Sequence, residues 1–204
     1  AEELAQAIAE QGQIFDRPAQ SIAETATIYM VPMVNPDGVD LVTGAIGTED
    51  VRYGLAEDLS RNYPSIPFPE GWKANLTGTD LNLNYPAEWD RAKAIKEAQG
   101  FVSPSPRDYV GTSPLSEPES RAMYDLTQTN DFRLILAYHS QGGIIYWKFM
   151  DYDPPRSAEI GEKMSQESGY TLLFQGIQYY RDAFFSNPKF PPLLVESLTG
   201  LASD

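Results

Sequence analysis

Short apolar runs separated by turn-forming residues are the clearest pattern in this chain. Five such runs are rich in β-branched or aromatic residues and predict buried strands, at residues 27–34, 132–138, 144–149, 170–174 and 192–198. Apolar positions at helical spacing predict helices, at residues 1–12, 116–129, 156–168 and 179–185. Strands that alternate with helices indicate an α/β fold with a largely buried sheet, in a single domain over residues 1–204.

Two of the predicted helices carry recognisable boundary signals. Ser116 and Glu119 form a capping-box pattern, which predicts Ser116 as the N-cap residue of the helix that follows. Gly169 closes the helix predicted over residues 156–168, because glycine readily adopts the left-handed conformation that ends many helices. These signals add boundaries to the pattern of apolar positions.

Residues 35–114 are dominated by turn formers. Residues 35–38 (NPDG) predict a turn, and residues 63–71, with three prolines, predict an irregular surface loop. Because aromatic and apolar residues persist through this stretch, we expect an ordered loop region that contributes to a site. In residues 80–84 three polar side chains alternate with two leucines, which suits an extended segment with one polar face or, alternatively, a set of Asx turns.

Composition excludes several kinds of site and partner. The 204 residues carry a net charge of -14, which argues against nucleic acid or an anionic membrane as a partner, since both need clustered Lys and Arg. There is no cysteine, so disulfides and Cys-ligated metal sites are excluded. The chain has one histidine, His139, which any Ser–His–Asp triad or His-containing metal site must use.

Two side chains stand out, one directly after a predicted strand and one within a predicted strand. His139 directly follows an apolar strand, where sites gather in open α/β sheets, so it is either a ligand or base, or a structural histidine. Glu196 lies within an apolar run, where a carboxylate is costly unless it is functional; alternatively it points to water from an edge strand. Arg181 and Asp182 form either a surface ion pair or part of a site.

Five motifs occur in the order found in zinc carboxypeptidases of the pancreatic carboxypeptidase superfamily. They are VPMVNPDG (31–38), GWKANLTGTDLNLNYP (71–86), SPLSEPESRAM (113–123), AYHSQGG (137–143) and FPPLLVESLTG (190–200). The chain most resembles the bacterial branch of γ-D-glutamyl-diamino acid peptidases, which cut cell-wall peptides. The resemblance implies a mixed, twisted sheet with helices on both faces, and a Zn²⁺ cofactor.

The resemblance also implies a role for four residues at matching positions. His139 takes the place of the family's downstream zinc ligand, and Glu196 that of the catalytic glutamate that moves a proton. Asn82 takes the place of an asparagine that holds the substrate carboxylate. Lys73 falls where many relatives carry an arginine that stabilises the oxyanion; lysine supplies the charge without the bidentate fork.

The upstream zinc motif of the family is not in this sequence. The family's other two ligands come from a His-x-x-Glu motif, and the single histidine of this chain is already assigned downstream. We therefore expect an incomplete catalytic domain, whose upstream segment, from the same enzyme, supplies the remaining ligands. The alternative is a natural inactive homologue.

Two further positions bear on substrate choice. Leu83 stands where exopeptidase relatives carry the arginine that clamps a C-terminal carboxylate, which favours an enzyme that does not require a free C-terminus. Arg181 aligns with the base of the pocket for the residue after the scissile bond and would attract the side-chain carboxylate of diaminopimelate, Asp or Glu. The substrate-capping tyrosine of relatives is not placed; Tyr180, Tyr179 and Phe174 lie near it.

The expected function is zinc-dependent hydrolysis of an amide bond in peptides, at γ-D-glutamyl-diaminopimelate bonds of cell-wall peptides. The alternatives are a metallocarboxypeptidase that prefers acidic C-terminal residues and a metal-free pseudo-peptidase that binds peptides. A serine hydrolase using Ser140 is disfavoured because the chain has no G-x-S-x-G motif. The expected partner is a peptide, not nucleic acid or a membrane. The expected location is the cell envelope or outside the cell, with the cytoplasm as the alternative.

Overall fold

The structure is a computed structural model that describes residues 2–14, 17–139, 143–148, 154–173 and, by their backbone, 193–197. The chain divides into two compact units, residues 1–34 and 35–204. The single catalytic domain expected over residues 1–204 stays a prediction. Among the described residues, no helix combines the length and apolar character needed to cross a bilayer.

The first unit contains two helices and a two-stranded antiparallel sheet. Helix α1 spans Glu2–Ala9, β1 (Gln13–Ile14) pairs with β2 (Arg17–Pro18), and α2 spans Ala19–Ala23. The helix predicted from residue 1 is thus confirmed as α1.

The strand predicted over residues 27–34 is wrong. These residues form neither helix nor strand, and the six large apolar side chains among them are 37–53% exposed. A strand needs a hydrogen-bonded neighbour, and Pro32 removes one of the N–H groups that such a ladder uses.

The described residues of the second unit form five α-helices: α3 (Pro36–Thr43), α4 (Val51–Ser60), α5 (Trp89–Ala98), α6 (Pro118–Thr129) and α7 (Ser157–Ser168). Three of them fall in the region expected to be loop, which corrects that prediction. The NPDG turn is the start of α3, because the Asn35 side chain accepts the Gly38 N–H at 3.1 Å and Pro36 occupies the first turn. Residues 63–71 are irregular, as predicted.

Helix α6 begins one residue later than its capping-box pattern predicts. Its N-cap is Glu117, which makes no side-chain cap bond, and the Ser116 hydroxyl donates to Glu117 Oε1 at 2.9 Å. Ser116 is drawn away from the capping role because Asn84 Nδ2 donates to the same hydroxyl oxygen at 2.9 Å. The predicted end of α6 at Thr129, and the closure of α7 by Gly169 in the left-handed conformation, are both confirmed.

A four-stranded mixed sheet forms the centre of the second unit. Its strand order is β3 (Ile135–His139), β6 (Leu193–Ser197), β4 (Ile144–Tyr146) and β5 (Thr171–Leu173). Strands β3 and β6 run parallel, β6 and β4 antiparallel, and β4 and β5 parallel. The predicted strands at these four positions are confirmed, each shorter than its apolar run. The helix predicted over residues 179–185 lies outside the described residues.

Helices pack on both faces of this sheet. Ile145 of β4 is fully buried in a cluster that includes Ile160 and Met164 of α7. The next residue, Tyr146, belongs to a cluster on the opposite face together with Met123 and Tyr124 of α6. The mixed α/β architecture implied by the family resemblance is therefore confirmed.

Candidate active site

The loop at residues 80–84 is a single turn of 3₁₀ helix, Leu81–Leu83, and not an extended segment. Asp80 caps it: its Oδ1 accepts the N–H of Asn82 at 3.3 Å. The alternative of Asx turns is thus the correct one, because the Asp80 carboxylate bonds to the backbone two residues ahead. The turn places Leu81 and Leu83 in the interior and leaves Asn82 half-buried between them.

Asn82 has a buried carbonyl oxygen with no hydrogen-bond partner. Its Oδ1 is out of contact with solvent, and within the described part of the chain no group donates to it. Unsatisfied buried polar atoms are rare in folded proteins, and each costs about 1–3 kcal/mol. Asn82 Oδ1 is therefore a buried acceptor that the described groups leave without a donor.

Leu83, the other candidate in this turn, lies in the core. It is 7% exposed and packs in a cluster with Trp89, Ala92 and Val110. The side chain at the position of the family's carboxylate clamp therefore contributes to packing between the turn and α5.

Asn84 ties the end of this turn to the stretch at residues 110–117. It is fully buried, and its Nδ2 lies 2.9–3.0 Å from the Val110 and Ser113 carbonyls and the Ser116 hydroxyl. Its Oδ1 accepts the N–H of Glu117 at 3.1 Å. Gly111 must be glycine here, because its φ is +88° and a Cβ would lie 2.4 Å from Asn84 Nδ2.

The carboxylate of Glu117 collects four side-chain donors at the start of α6. Asn75 Nδ2 and the Thr77 hydroxyl donate to Oε2 at 2.7 and 2.8 Å, and the Thr79 and Ser116 hydroxyls donate to Oε1 at 3.2 and 2.9 Å. Burial acts to raise the pKa of Glu117, but these hydrogen bonds outweigh it and hold the pKa below its usual value of 4.5. The carboxylate therefore locks the loop at 75–79 onto α6.

Lys73 extends from an anchored backbone into solvent. Its neighbour Trp72 is 5% exposed and donates its indole N–H to the Ala74 carbonyl at 2.7 Å. The N–H groups of Lys73 and Ala74 both donate to the Pro106 carbonyl, at 2.8 and 2.9 Å. Residue Lys73 is exposed, while its backbone is held by these hydrogen bonds.

The charge of Lys73 acts on the buried carboxyl of Asp80. Burial raises the pKa of Asp80, and the nearby Asp108 carboxylate raises it further. The Asp108 and Asn82 N–H groups and the Lys73 charge act in the opposite direction. The Lys73 cation thus interacts electrostatically with the residue that caps the Asn82 turn.

His139 is the last residue of β3 and lies on the same strand face as Ile135 and Ala137. Those two residues pack against Tyr85, which follows the Asn82 turn by three residues. The fold thus brings the turn at residues 81–83 and the end of β3 to the same side of the sheet. His139 itself is half-buried.

The backbone of Glu196 lies in β6, next to β3. It is in register with Tyr138 on one side and with Ile145 of β4 on the other, while Ser197 pairs with His139. The two residues that the resemblance assigns to zinc binding and proton transfer are therefore on neighbouring strands, one register position apart. Their chemical roles stay predictions, as do those of Lys73 and Asn82.

Several predicted site residues lie outside the described residues. They are Arg181, Tyr180 and the two further candidates for the capping position, Tyr179 and Phe174. The side chain of Glu196 is likewise outside the described part.

The described residues do not form a complete zinc site. Within them no group of three or more His, Cys, Asp or Glu side chains is close enough to hold a metal ion. A catalytic zinc site uses three protein ligands, and His139 is the one imidazole in the whole sequence. His139 can therefore contribute one ligand of such a site, and the remaining ligands are not among the described side chains.

The sequence profile of the zinc carboxypeptidase family matches residues 3–180. The chain belongs to this family. It is 41% identical over 177 residues to gamma-D-glutamyl-L-diamino acid endopeptidase 1 of Lysinibacillus sphaericus, covering 85% of this chain and 43% of that protein. It is 39% identical over 154 residues to the uncharacterized protein YqgT of Bacillus subtilis, covering 76% of this chain and 39% of that protein.

More distant similarity extends to murein peptide amidase A of Escherichia coli, with 30% identity over 47% of this chain and 38% of that protein. Among solved structures, carboxypeptidase A from Helicoverpa armigera superposes with a TM-score of 0.56 at 19% identity, over 98% of this chain and 49% of that one. This similarity shows the fold. The chain spans less than half the length of these relatives.

No role is predicted from the sequence for Asn84, Glu117 or the Lys96–Asp108 pair. Asn84 was visible as the last polar residue of the alternating segment, and Glu117 as a neighbour of the capping-box serine. Lys96 and Asp108 carry no local signal, because their contact joins a helix to a loop 12 residues further along the chain.

Proposed function

We propose that this chain is part of a zinc-dependent peptidase that hydrolyses γ-D-glutamyl-diaminopimelate bonds in cell-wall peptides. The observation that carries the proposal is the 41% identity, over 85% of the chain, to a relative named as a gamma-D-glutamyl-L-diamino acid endopeptidase. A second relative is named as a murein peptide amidase, which supports the same substrate class. We propose the cell envelope or the outside of the cell as the enzyme's location, because cell-wall peptides are found there; the cytoplasm is the alternative.

The state of Asn82 supports a peptide as the ligand. Its half-buried side-chain amide carries both donors and an acceptor, which match the C=O, carboxylate and N–H groups of a peptide. In this proposal Asn82 orients the substrate. The positive charge of the exposed Lys73 acts to lower the pKa of Asp80, the residue that caps the Asn82 turn. Lys73 then stabilises the negative charge that develops on the carbonyl oxygen of the scissile bond.

The core position of Leu83 favours an endopeptidase over a carboxypeptidase. A free C-terminal carboxylate is best bound by the two parallel donors of an arginine. Leu83 supplies no donor and packs on Trp89. In the proposed reaction Arg181 instead recognises the second carboxylate of diaminopimelate.

Glu196 is the proposed proton carrier. It takes a proton from the attacking water as a general base and returns it to the leaving amine as a general acid. His139 is proposed as one zinc ligand. It is the one histidine of the sequence, so this chain supplies a single imidazole to the proposed site.

The test is hydrolysis of a peptide containing a γ-D-glutamyl-diaminopimelate bond, followed by chromatography, with zinc per chain measured in the same samples. We expect the zinc-loaded enzyme of which this chain is a part to cut this bond, and Glu196→Gln in that enzyme to lower the rate by about 10²-fold or more. Glu162→Gln, a change of the same kind on α7, is the matched control and leaves the rate unchanged. Zinc-loaded enzyme that does not cut the peptide, or cuts it equally well as Glu196→Gln, contradicts the proposal.

The second candidate function is a metal-free peptide-binding protein. It is favoured by the lack of any three-ligand cluster within the described residues. Peptide binding with no zinc retained after dialysis against trace zinc would support this alternative over the peptidase.

A further inference from the structure

Residues 106–109, here called the support segment, hold the backbones of both loops that carry the predicted ligand-binding residues. On one side, the Pro106 carbonyl accepts the N–H of Lys73 at 2.8 Å. On the other, the Tyr109 carbonyl accepts the N–H of Asp80 at 2.8 Å. Lys73 and the turn capped by Asp80 are therefore positioned by the same four residues.

The support segment also reaches Asn82 through the carboxylate of Asp80. Asp80 Oδ2 accepts the N–H of Asp108 at 3.0 Å, and Oδ1 accepts the N–H of Asn82 at 3.3 Å. Because Asp80 is buried, water cannot replace either bond without entering the core. A shift of Asp108 is thus transmitted to Asn82 through one rigid carboxylate.

Asp108 is held in place by a lysine from the core side. Lys96 of α5 is 7% exposed, and its ammonium donates to Asp108 Oδ1 at 2.5 Å. Asp108 has a φ of +72°, a conformation that few residues other than glycine, Asn and Asp adopt readily. Arg107 donates to the other carboxylate oxygen at 2.8 Å from a more exposed position.

The Lys96–Asp108 pair is expected to contribute little to the free energy of unfolding. Desolvating two charges costs about as much as their attraction returns, and well-packed apolar residues often serve as well. A buried ion pair does specify geometry, because each charge tolerates very few alternative positions. Lys96 contacts the support segment at Asp108, and the backbone N–H of Asp108 donates to Asp80.

We propose that Lys96 and Asp108 are positioning residues, which set the places of Asn82 and Lys73 by fixing the support segment to α5. Neither touches the ligand; both act through Asp80 and Pro106. The use of this placement, to align a peptide substrate, rests on the function proposed above. The placement itself does not.

The first test measures the geometry without any ligand. Hydrogen exchange at the N–H groups of Asn82 and Asp108, both bonded to Asp80, is compared between the wild-type chain and Lys96→Met. We expect exchange at these two amides to become about tenfold faster, while amides within α7 are unchanged. Lys93→Met is the matched control: Lys93 lies on the same helix but pairs with Glu97 at the surface, at 3.8 Å.

The second test measures the use of that geometry. The dipeptide γ-D-glutamyl-diaminopimelate is titrated into each variant by calorimetry, and Lys96→Met is expected to raise the Kd about tenfold, with partial rescue by Lys96→Arg. Lys93→Met is expected to leave it unchanged. If the wild-type chain does not bind this dipeptide, the proposed function is contradicted. The positioning role is then tested by hydrogen exchange alone.

Three outcomes overturn the inference. One is unchanged exchange at both amides in Lys96→Met. Another is faster exchange by an equal factor throughout the second unit, which would mean that the pair serves overall stability. Asp108→Asn, which tolerates the left-handed backbone, is the second variant. The third outcome is that neither variant folds, which would mean that the whole fold requires the pair.

Discussion

Polar side chains are buried in one region of this protein, while large apolar side chains are exposed in another. Asn75, Asn84 and Asp80 are each less than 9% exposed, within loops that connect helices. In residues 28–34, by contrast, the apolar side chains are more than a third exposed. Burial in these loops therefore follows the supply of hydrogen-bond partners, and polarity alone does not predict it.

The difference has a simple energetic basis. Asn84 has an acceptor for each of its amide hydrogens and a donor for its oxygen, so its burial costs little. The apolar run at residues 28–34 has no ladder partner among the described residues. A backbone without a partner must keep its N–H and C=O groups near water, and this keeps its side chains near water as well.

The strongest test of this comparison is Asn84→Ala. The change leaves the Glu117 N–H without its buried acceptor and removes one of the two donors to the Val110 carbonyl, and we expect a loss of about 3 kcal/mol in the free energy of unfolding. Urea denaturation followed by circular dichroism measures it. Asn62→Ala, at an exposed asparagine, is the control and should change stability by less than about 0.5 kcal/mol. Equal losses in the two variants would mean that the buried hydrogen bonds carry no special weight.

A pH series tests the carboxylate in the same region. The pKa of Glu117 is lowered in the folded protein, so its contribution to stability is complete above 4.5 and is lost as the pH falls below that value. Asp108, whose pKa is also lowered, acts in the same direction below 3.8. The raised pKa of Asp80 acts in the opposite direction, because burial disfavours its charged form.

We therefore expect Glu117→Gln to cost about 1–2 kcal/mol at pH 7 and to flatten the decrease of stability between pH 4.5 and lower pH. Unfolding free energies from urea titrations at several pH values measure both effects. Glu162→Gln provides a control on an exposed helix face. A Glu117→Gln profile parallel to that of the wild type would show that the Glu117 carboxylate is not responsible for the acid sensitivity.

The smallest effect is expected in the exposed apolar run. Met33 is 47% exposed, so Met33→Gln, which preserves length and shape, should change the free energy of unfolding by less than about 0.5 kcal/mol. Ile145→Thr, at a fully buried position of β4, should cost about 2 kcal/mol or more by the same urea measurement. A large loss at Met33 would mean that this side chain is covered in solution.

The strands and helices with clear periodicity could be predicted from the sequence. The apolar runs that become β3, β4, β5 and β6, and the amphipathic pattern of α7, all lie where they were expected. Helices α3, α4 and α5 were missed because glycines, prolines and Asx residues in residues 35–114 suggested loop. Several of these residues are instead at helix boundaries, as Asn35 shows at the start of α3.

Family membership could be predicted from the sequence itself, because five motifs occur in the family's order. The same motifs supplied the candidate site residues, whose roles stay predictions. Only the tertiary structure decided which polar groups are buried with partners. Lys96 meets Asp108, and Glu117 meets Asn75, across 12 and 42 residues of chain. Local patterns cannot encode such pairings, since they depend on how distant segments pack, and packing also left Asn82 with an unpartnered oxygen and placed Leu83 in the core.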